Sequence, residues 1–253
     1  MGERKFAVLL AKPELFKPLV ISHVLAPARG IPLQDAVSSA RSCWGFLLEN
    51  ADEPAAQGLA ARFDDAGLSV LVVPRESIPV LPPVQLIPSP KTDILPDRIV
   101  LISAMAFKQR VMKAVKVKEG PTQTQQIVSM GLMMATGLPI KLGGKKKTVE
   151  KNVESSELLF YADLILRNPS ERFRVDAQKF DYSCLGSKML YNIAGNFRLL
   201  LGEWVKNTPA ARLNHGTRVI LDNKPLREMG YASLEEMERE SRWLLALVES
   251  GWK

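Results

Sequence analysis

The stretch Asp52-Glu-Pro-Ala-Ala-Gln-Gly-Leu-Ala-Ala-Arg-Phe-Asp-Asp-Ala-Gly-Leu-Ser-Val-Leu-Val-Val73 decides how the first part of the chain folds. Asp52 is a natural N-cap, because its carboxylate can accept one of the unsatisfied N–H groups of a first helical turn. Glu53 and Pro54 suit that turn: an anion is favoured near the positive end of the helix dipole, and a missing N–H costs nothing there. Leu59, Ala60, Phe63 and Ala66 fall on one helical face, and Gly67 supplies the left-handed residue that ends the helix. The apolar run 68–73 then reads as a strand.

Working outward toward the N-terminus, residues 5–10 form a short apolar run and predict a strand. Leu15, Leu19, Val20, Val24 and Leu25 follow at helical spacing, with Pro18 acceptable in the first turn and Gly30 as the stop. Leu33, Ala36, Val37 and Ala40 mark a second, shorter helix, and residues 45–48 a short strand. The order is β-α-α-β-α-β within residues 1–74, enough chain for one small module.

The pattern Gly30-Ile-Pro-Leu33-Gln-Asp-Ala36-Val, followed by Ala55, Leu59, Phe63, Ala66-Gly67 and Val70, resembles the C-terminal domain of the bacterial ribosomal stalk protein. That family has a Gly-Leu-x-Glu-Ala helix, then a helix ending Ala-Gly, then a closing strand. The resemblance covers less than a third of the chain. It implies the fold of the module and a helical docking face. The family recruits its partners through lysines on paired helices, where this chain has Gln34, Asp35, Ser38 and Ser39. Ribosomal function is therefore not carried over.

Pro74, Pro79, Pro82, Pro83, Pro88, Pro90 and Pro96 come next. Such density excludes helix and central strand and predicts an extended spacer over residues 75–97. Beyond it, residues 98–105 and 111–117 read as strands, 127–135 and 158–166 as further apolar segments, and Phe173 and Val175 alternate after the Asn168-Pro-Ser170 turn. Met189, Leu190, Ile193, Phe197, Leu200, Leu201 and Trp204 recur at amphipathic helical spacing. Ser233-Leu-Glu-Glu236 reads as a capping box opening a last helix with Leu234, Met237, Leu244, Leu245 and Val248 inward. Strands followed by helices make residues 98–253 an α+β domain, and the whole chain is of the α+β class.

With 253 residues, 46% of them hydrophobic and 24% charged, the composition excludes wholesale disorder, collagen-like repeats and a disulfide-dense miniprotein. Two cysteines, Cys43 and Cys184, are too few for a disulfide framework or a cysteine-rich zinc site. No stretch approaches the roughly 18 apolar residues of a membrane span, the N-terminal apolar run is too short for a secretory signal, and Phe6 stands where a myristoylation motif needs Ser or Thr. A cytoplasmic protein is expected.

The net charge is +7, and it is local: residues 91–151 hold 12 Lys and Arg against four acids, +8, which leaves −1 for the rest. Lys141, Lys145, Lys146, Lys147 and Lys151 surround Gly143-Gly144 and are the candidate anion-binding residues, for nucleic acid or another polyanion such as an acidic membrane surface. They do not form a phosphate loop, since Pro139 stands where its first glycine belongs and Lys146 where Ser or Thr should follow the lysine. Only Phe107 offers an aromatic platform in this segment. Ser129-Met-Gly-Leu-Met-Met-Ala135 reads as core or as an adaptable contact surface.

Catalytic and metal chemistry find little purchase. His23 and His215 lack a ligand companion at helical spacing, so no metal and no cofactor are expected. Cys184 reads as a small buried hydrophobe, although a Cys184–His215 pair is open. Asp163, Asp176 and Asp181 read as capping and turn residues. No nucleophile elbow, zinc-protease motif or dinucleotide fingerprint occurs. The expected function is a non-catalytic protein-interaction or adaptor role; polyanion binding through the 141–151 loop, or an enzyme whose site spacing does not reveal, are the alternatives.

Overall fold

Asp52 opens its helix as its position predicts: the Ala55 N–H donates to Asp52 Oδ1 at 2.9 Å. The structure, a computed structural model, describes residues 4–90, 94–118, 148–168 and 170–251, and for 110–118 and 148–156 the backbone alone. The protein is of the α+β class. Its first elements are β1 (Phe6–Leu10), α1 (Pro18–Arg29), α2 (Leu33–Ser42), β2 (Phe46–Ala51), α3 (Glu53–Asp65) and β3 (Val70–Pro74), the order read from the sequence. Gly30 ends α1 in the left-handed region at φ 62°.

β1 is the middle strand of the first sheet, antiparallel to β2 on one side and β3 on the other. Ala7, Val8, Leu9 and Leu10 are all buried, so β1 is covered on both faces and shows no polar alternation. Ile21 and Leu25 of α1, Ala36 and Ala40 of α2, and Ala56, Leu59 and Phe63 of α3 complete its core.

The second sheet follows the order β4-β7-β6-β5-β8. Its strands are β4 (Val84–Leu86), β5 (Ile99–Lys118), β6 (Thr148–Leu166), β7 (Glu171–Asp176) and β8 (Arg212–Leu213). β6 and β7 are antiparallel, while β4 joins β7 and β8 joins β5 in parallel. Three helices accompany it: α4 (Ile193–Asn207), α5 (His215–Leu221) and α6 (Leu234–Glu249). The runs 98–105 and 111–117, expected as two strands, belong to the one strand β5. No helix among the described residues is long and apolar enough to cross a membrane.

The helix expected from Met189 starts four residues later. Asn192 caps α4 through the Gly195 N–H. The side chain of Asn196 takes both backbone groups of Leu190, accepting its N–H at 2.6 Å and donating to its carbonyl at 2.9 Å, which holds residues 189–191 outside the helix. Met189 and Leu190 are consequently exposed. The capping box at Ser233 is also absent: the Ser233 side chain makes no cap bond, and Glu236 accepts the Ala232 N–H instead.

The proline-rich segment is no free spacer. Ile78 and Ile87 are buried, β4 pairs along β7, the Ile87 N–H donates to Arg174 O at 3.0 Å, and the Asp181 N–H to Pro88 O at 2.7 Å. The prolines flank β4, Pro82 and Pro83 before it and Pro88 after it, so none takes a donor from its short ladder. The chain divides into two compact units with boundaries other than the expected 1–74, 75–97 and 98–253: residues 1–107 with 159–253, and residues 108–158. The described part of the second unit is strand, residues 108–118 and 148–158.

The reason for the first unit's boundaries is α6. Trp243, 1% exposed, lies in the same buried cluster as β1 and donates its indole N–H to Leu10 O at 2.8 Å. Its ring lies over Gly45, where a Cβ would stand 2.0 Å from the indole and where φ is 86°, so only glycine fits. On the same helix, Ser241 hydrogen-bonds Ser103 of β5 at 2.7 Å, and Glu238 joins a buried ionic cluster on β6 and β7.

In that cluster Asp163, fully buried, takes Arg172 Nε at 2.8 Å and Arg174 Nε at 2.7 Å, and both guanidinium groups also reach Glu238. Asp163 is therefore no turn residue. Two cations face two anions, which is what makes burial tolerable. Burial opposes the charge on Arg174, but its bonds to Asp163 and Glu238 outweigh that and hold its proton tighter than in free arginine.

Gly45→Ala is expected to destabilise the protein by about 3 kcal/mol, combining overpacking against Trp243 with a left-handed backbone. Asp163→Asn, which leaves two buried guanidiniums short of an anion, should cost about 3–5 kcal/mol. Urea unfolding followed by tryptophan fluorescence measures both, and a loss under 1 kcal/mol in either would contradict this packing.

Candidate functional site

Trp44 sits in a tight turn ahead of β2 with φ 42°, a conformation that bulky residues rarely adopt. The turn places its indole against three rings: Phe16 stacked at 5.1 Å, Tyr231 tilted at 4.4 Å and His215 at 6.4 Å between centroids. Its N–H donates to Glu236 at 3.3 Å. Beside it opens a cavity of about 370 Å³ walled by Phe16, Trp44, Met229 and Trp243, with Arg41 and Arg218 also lining it. That volume suits a small organic ligand, and the balance of aromatic wall with a few polar groups is that of a binding pocket.

Behind His215 and Glu240, which line the cavity, lies a buried polar network. Asn214 caps α5, accepting the Thr217 N–H at 2.8 Å, and also pairs with β5, accepting the Ala104 N–H at 2.9 Å and donating to Ala104 O at 3.1 Å. The Tyr231 hydroxyl accepts from Asn214 Nδ2 at 2.9 Å and the Gly216 N–H at 3.0 Å, and donates to Glu240. The other oxygen of Glu240 accepts the His215 N–H at 3.0 Å. Gly216 is required by this arrangement, since a Cβ would stand 2.0 Å from Ala104 O.

Burial pushes the Glu240 carboxyl above its ordinary 4.5, and burial beside Glu240 pushes the Tyr231 phenol well above 10. His215 Nε2 lies 2.7 Å from Glu228 O. A carbonyl only accepts, so Nε2 is the donor in this contact.

Next to the pocket lies a recess of about 280 Å³ lined by Lys12, Arg212, Arg218 and Glu14. Pro13, Leu213 and Arg218 belong to both, so the aromatic pocket and the cationic recess share a wall.

Of the residues singled out from the sequence, only His215 lies here. Lys141, Lys145, Lys146 and Lys147 fall outside the described residues, as does the methionine run 129–135; Lys151 lies in β6, with its side chain outside them. His23 is exposed on α1. Cys184 is exposed rather than buried, because the turn Tyr182–Lys188 turns it outward while Tyr182 and Leu185 go in. No hydrogen bond joins it to His215 among the described residues. Cys43 is buried, and burial raises its thiol to about 11. Among the described residues no three His, Cys, Asp or Glu side chains gather as a metal site.

Tyr231→Phe leaves two buried donors without an acceptor and is expected to cost about 2 kcal/mol. The folded protein binds the Glu240 proton more tightly than the unfolded chain does. This group therefore favours folding at low pH, and the benefit is lost as pH rises past 4.5 toward the raised value. The stability deficit of Glu240→Gln should then be larger at pH 4 than at pH 8, as urea titrations at both would show.

Comparison with protein-family models, with curated proteins and with solved structures finds no match to this chain.

Proposed function

We propose that the protein acts by binding rather than by catalysis, and that its ligand is a small molecule with a flat apolar body and an anionic end. One observation carries this reading: the aromatic pocket and the cationic recess meet at Pro13, Leu213 and Arg218. A planar group in the first would lie beside Phe16, Trp44 and Trp243, while its charge met Arg218, Arg212 and Lys12. Much of the polar chemistry beside the pocket is committed to structure, which supports binding over turnover: the Tyr231 hydroxyl, both Glu240 oxygens and His215 Nε2 all have partners within the fold.

A second reading, a protein-interaction role, has its own support. Met189, Leu190, Tyr191 and Ile193 form an exposed apolar group broken only by Asn192, with Leu190 held in place by Asn196. Leu19 on α1 and Leu33 on α2 are also exposed, where the stalk-like resemblance would put a docking face. Polyanion binding through Lys141, Lys145, Lys146, Lys147 and Lys151 rests on the sequence alone.

The probe 8-anilinonaphthalene-1-sulfonate has the proposed shape and charge, and N-phenyl-1-naphthylamine is its uncharged counterpart. Saturable one-to-one binding of the sulfonate is expected. Arg218→Glu, at an exposed position, should weaken it at least tenfold, about 1.4 kcal/mol, and leave the uncharged probe unaffected. Trp44→Leu should weaken both. Sulfonate binding indifferent to both substitutions would remove the pocket from consideration.

A further inference from the structure

A second concavity, of about 740 Å³, opens where the 3-10 turn Arg75–Ser77 faces α6. Four arginines line it: Arg75, Arg172, Arg239 and Arg242. Two of these are neutralised within the fold. Arg172 belongs to the Asp163–Glu238 cluster, and Arg239 pairs with Glu49 while donating to Cys43 O at 2.9 Å.

The carboxylates of the same concavity are also committed. Glu238 is held by Arg172 and Arg174, Glu236 by the Ala232 N–H and the Trp44 indole, and Glu235 by Ser233. Arg75 and Arg242 remain with no ion pair among the described residues. Arg75 Nε is shut off from water and has no hydrogen-bond partner at all. Arg242 lies over the Phe46 ring at 5.3 Å, with Arg239 over the same ring at 5.2 Å. Burial, together with repulsion from Arg75 and Arg239, makes Arg242 less basic than free arginine, with Glu49 offsetting only part.

A buried donor without an acceptor costs free energy, and so do adjacent like charges. An anion held against both guanidiniums would relieve their repulsion and supply an acceptor on the Arg75 side. We propose that Arg75 and Arg242 form a binding site for the phosphate group of a small phosphomonoester, separate from the aromatic pocket. Guanidinium forks match tetrahedral phosphate oxygens bidentately, and two of them match the charge of a phosphate dianion. The volume leaves room for the organic part beside Val80 and Leu81. The glutamates that line it oppose an extended polyanion such as nucleic acid more than a single compact phosphate.

The test is calorimetric titration of the full chain with inorganic phosphate, phenyl phosphate and benzoate at constant ionic strength. Saturable binding of both phosphates is expected, tighter for phenyl phosphate and weak or absent for benzoate. Arg75→Gln and Arg242→Gln should each reduce phosphate affinity at least tenfold. Arg242→Lys, which keeps the charge and loses the fork, should fall between. Circular dichroism and urea unfolding show that each variant is folded, and unchanged binding of 8-anilinonaphthalene-1-sulfonate keeps this site distinct from the other pocket. No saturable phosphate binding, benzoate binding as tightly as phenyl phosphate, or affinities unmoved by both glutamine substitutions would overturn the proposal.

Discussion

The contact of Trp243 with Gly45 and Leu10 is the constraint on which the remaining arrangement depends. An indole needs a large flat space and a partner for its N–H; the glycine supplies the first and a strand carbonyl the second. Once that ring is seated, the rotation of α6 about its axis is set. Ser241 then meets Ser103, Arg239 meets Cys43 O, and Glu240 turns toward Tyr231. Glu238 is left to face the two arginines of β7. One helix thus joins both sheets and builds part of each concavity.

The polar contacts along α6 do a different job from the apolar ones. Buried ion pairs such as Asp163 with Arg172 and Arg174 are weak sources of net stability, because desolvation consumes most of the attraction. Their effect is selective. A slip of α6 by one residue would leave Glu238 and Glu240 without partners in a nonpolar interior, a cost that apolar packing does not impose. Hydrophobic contact makes α6 adhere; the charges decide where.

What could be read from the sequence was what local spacing controls. Asp52 to Val73 was legible because cap, apolar face, left-handed stop and strand all lie within a few residues of one another. Apolar periodicity runs through Asn192 from Met189 and hides it as a cap; the bonds from Asn196 to Leu190 set the boundary instead. Asp163 looked like any turn aspartate, since its partners are set by strand pairing and a distant helix. Proline density in residues 74–96 says nothing against a three-residue edge strand set between prolines, as β4 is. The candidate pocket was the least legible: its walls come from residues 13–44 and 213–243, and no spacing rule links Trp44 with Tyr231.

That separation also governs how the molecule is made. The hydrogen bond between Trp243 and Leu10 spans 233 residues, so the first sheet leaves the ribosome long before the side chain that completes its core. During synthesis β1 to β3 must wait with an open apolar surface around Gly45, in the period when hydrophobic faces are most prone to wrong contacts. Completion waits for α6, which brings its own side of the core, of the ionic cluster and of the concavities. Both concavities therefore depend on residues 234–249, and a molecule lacking α6 would carry neither, however well its opening module had begun to fold.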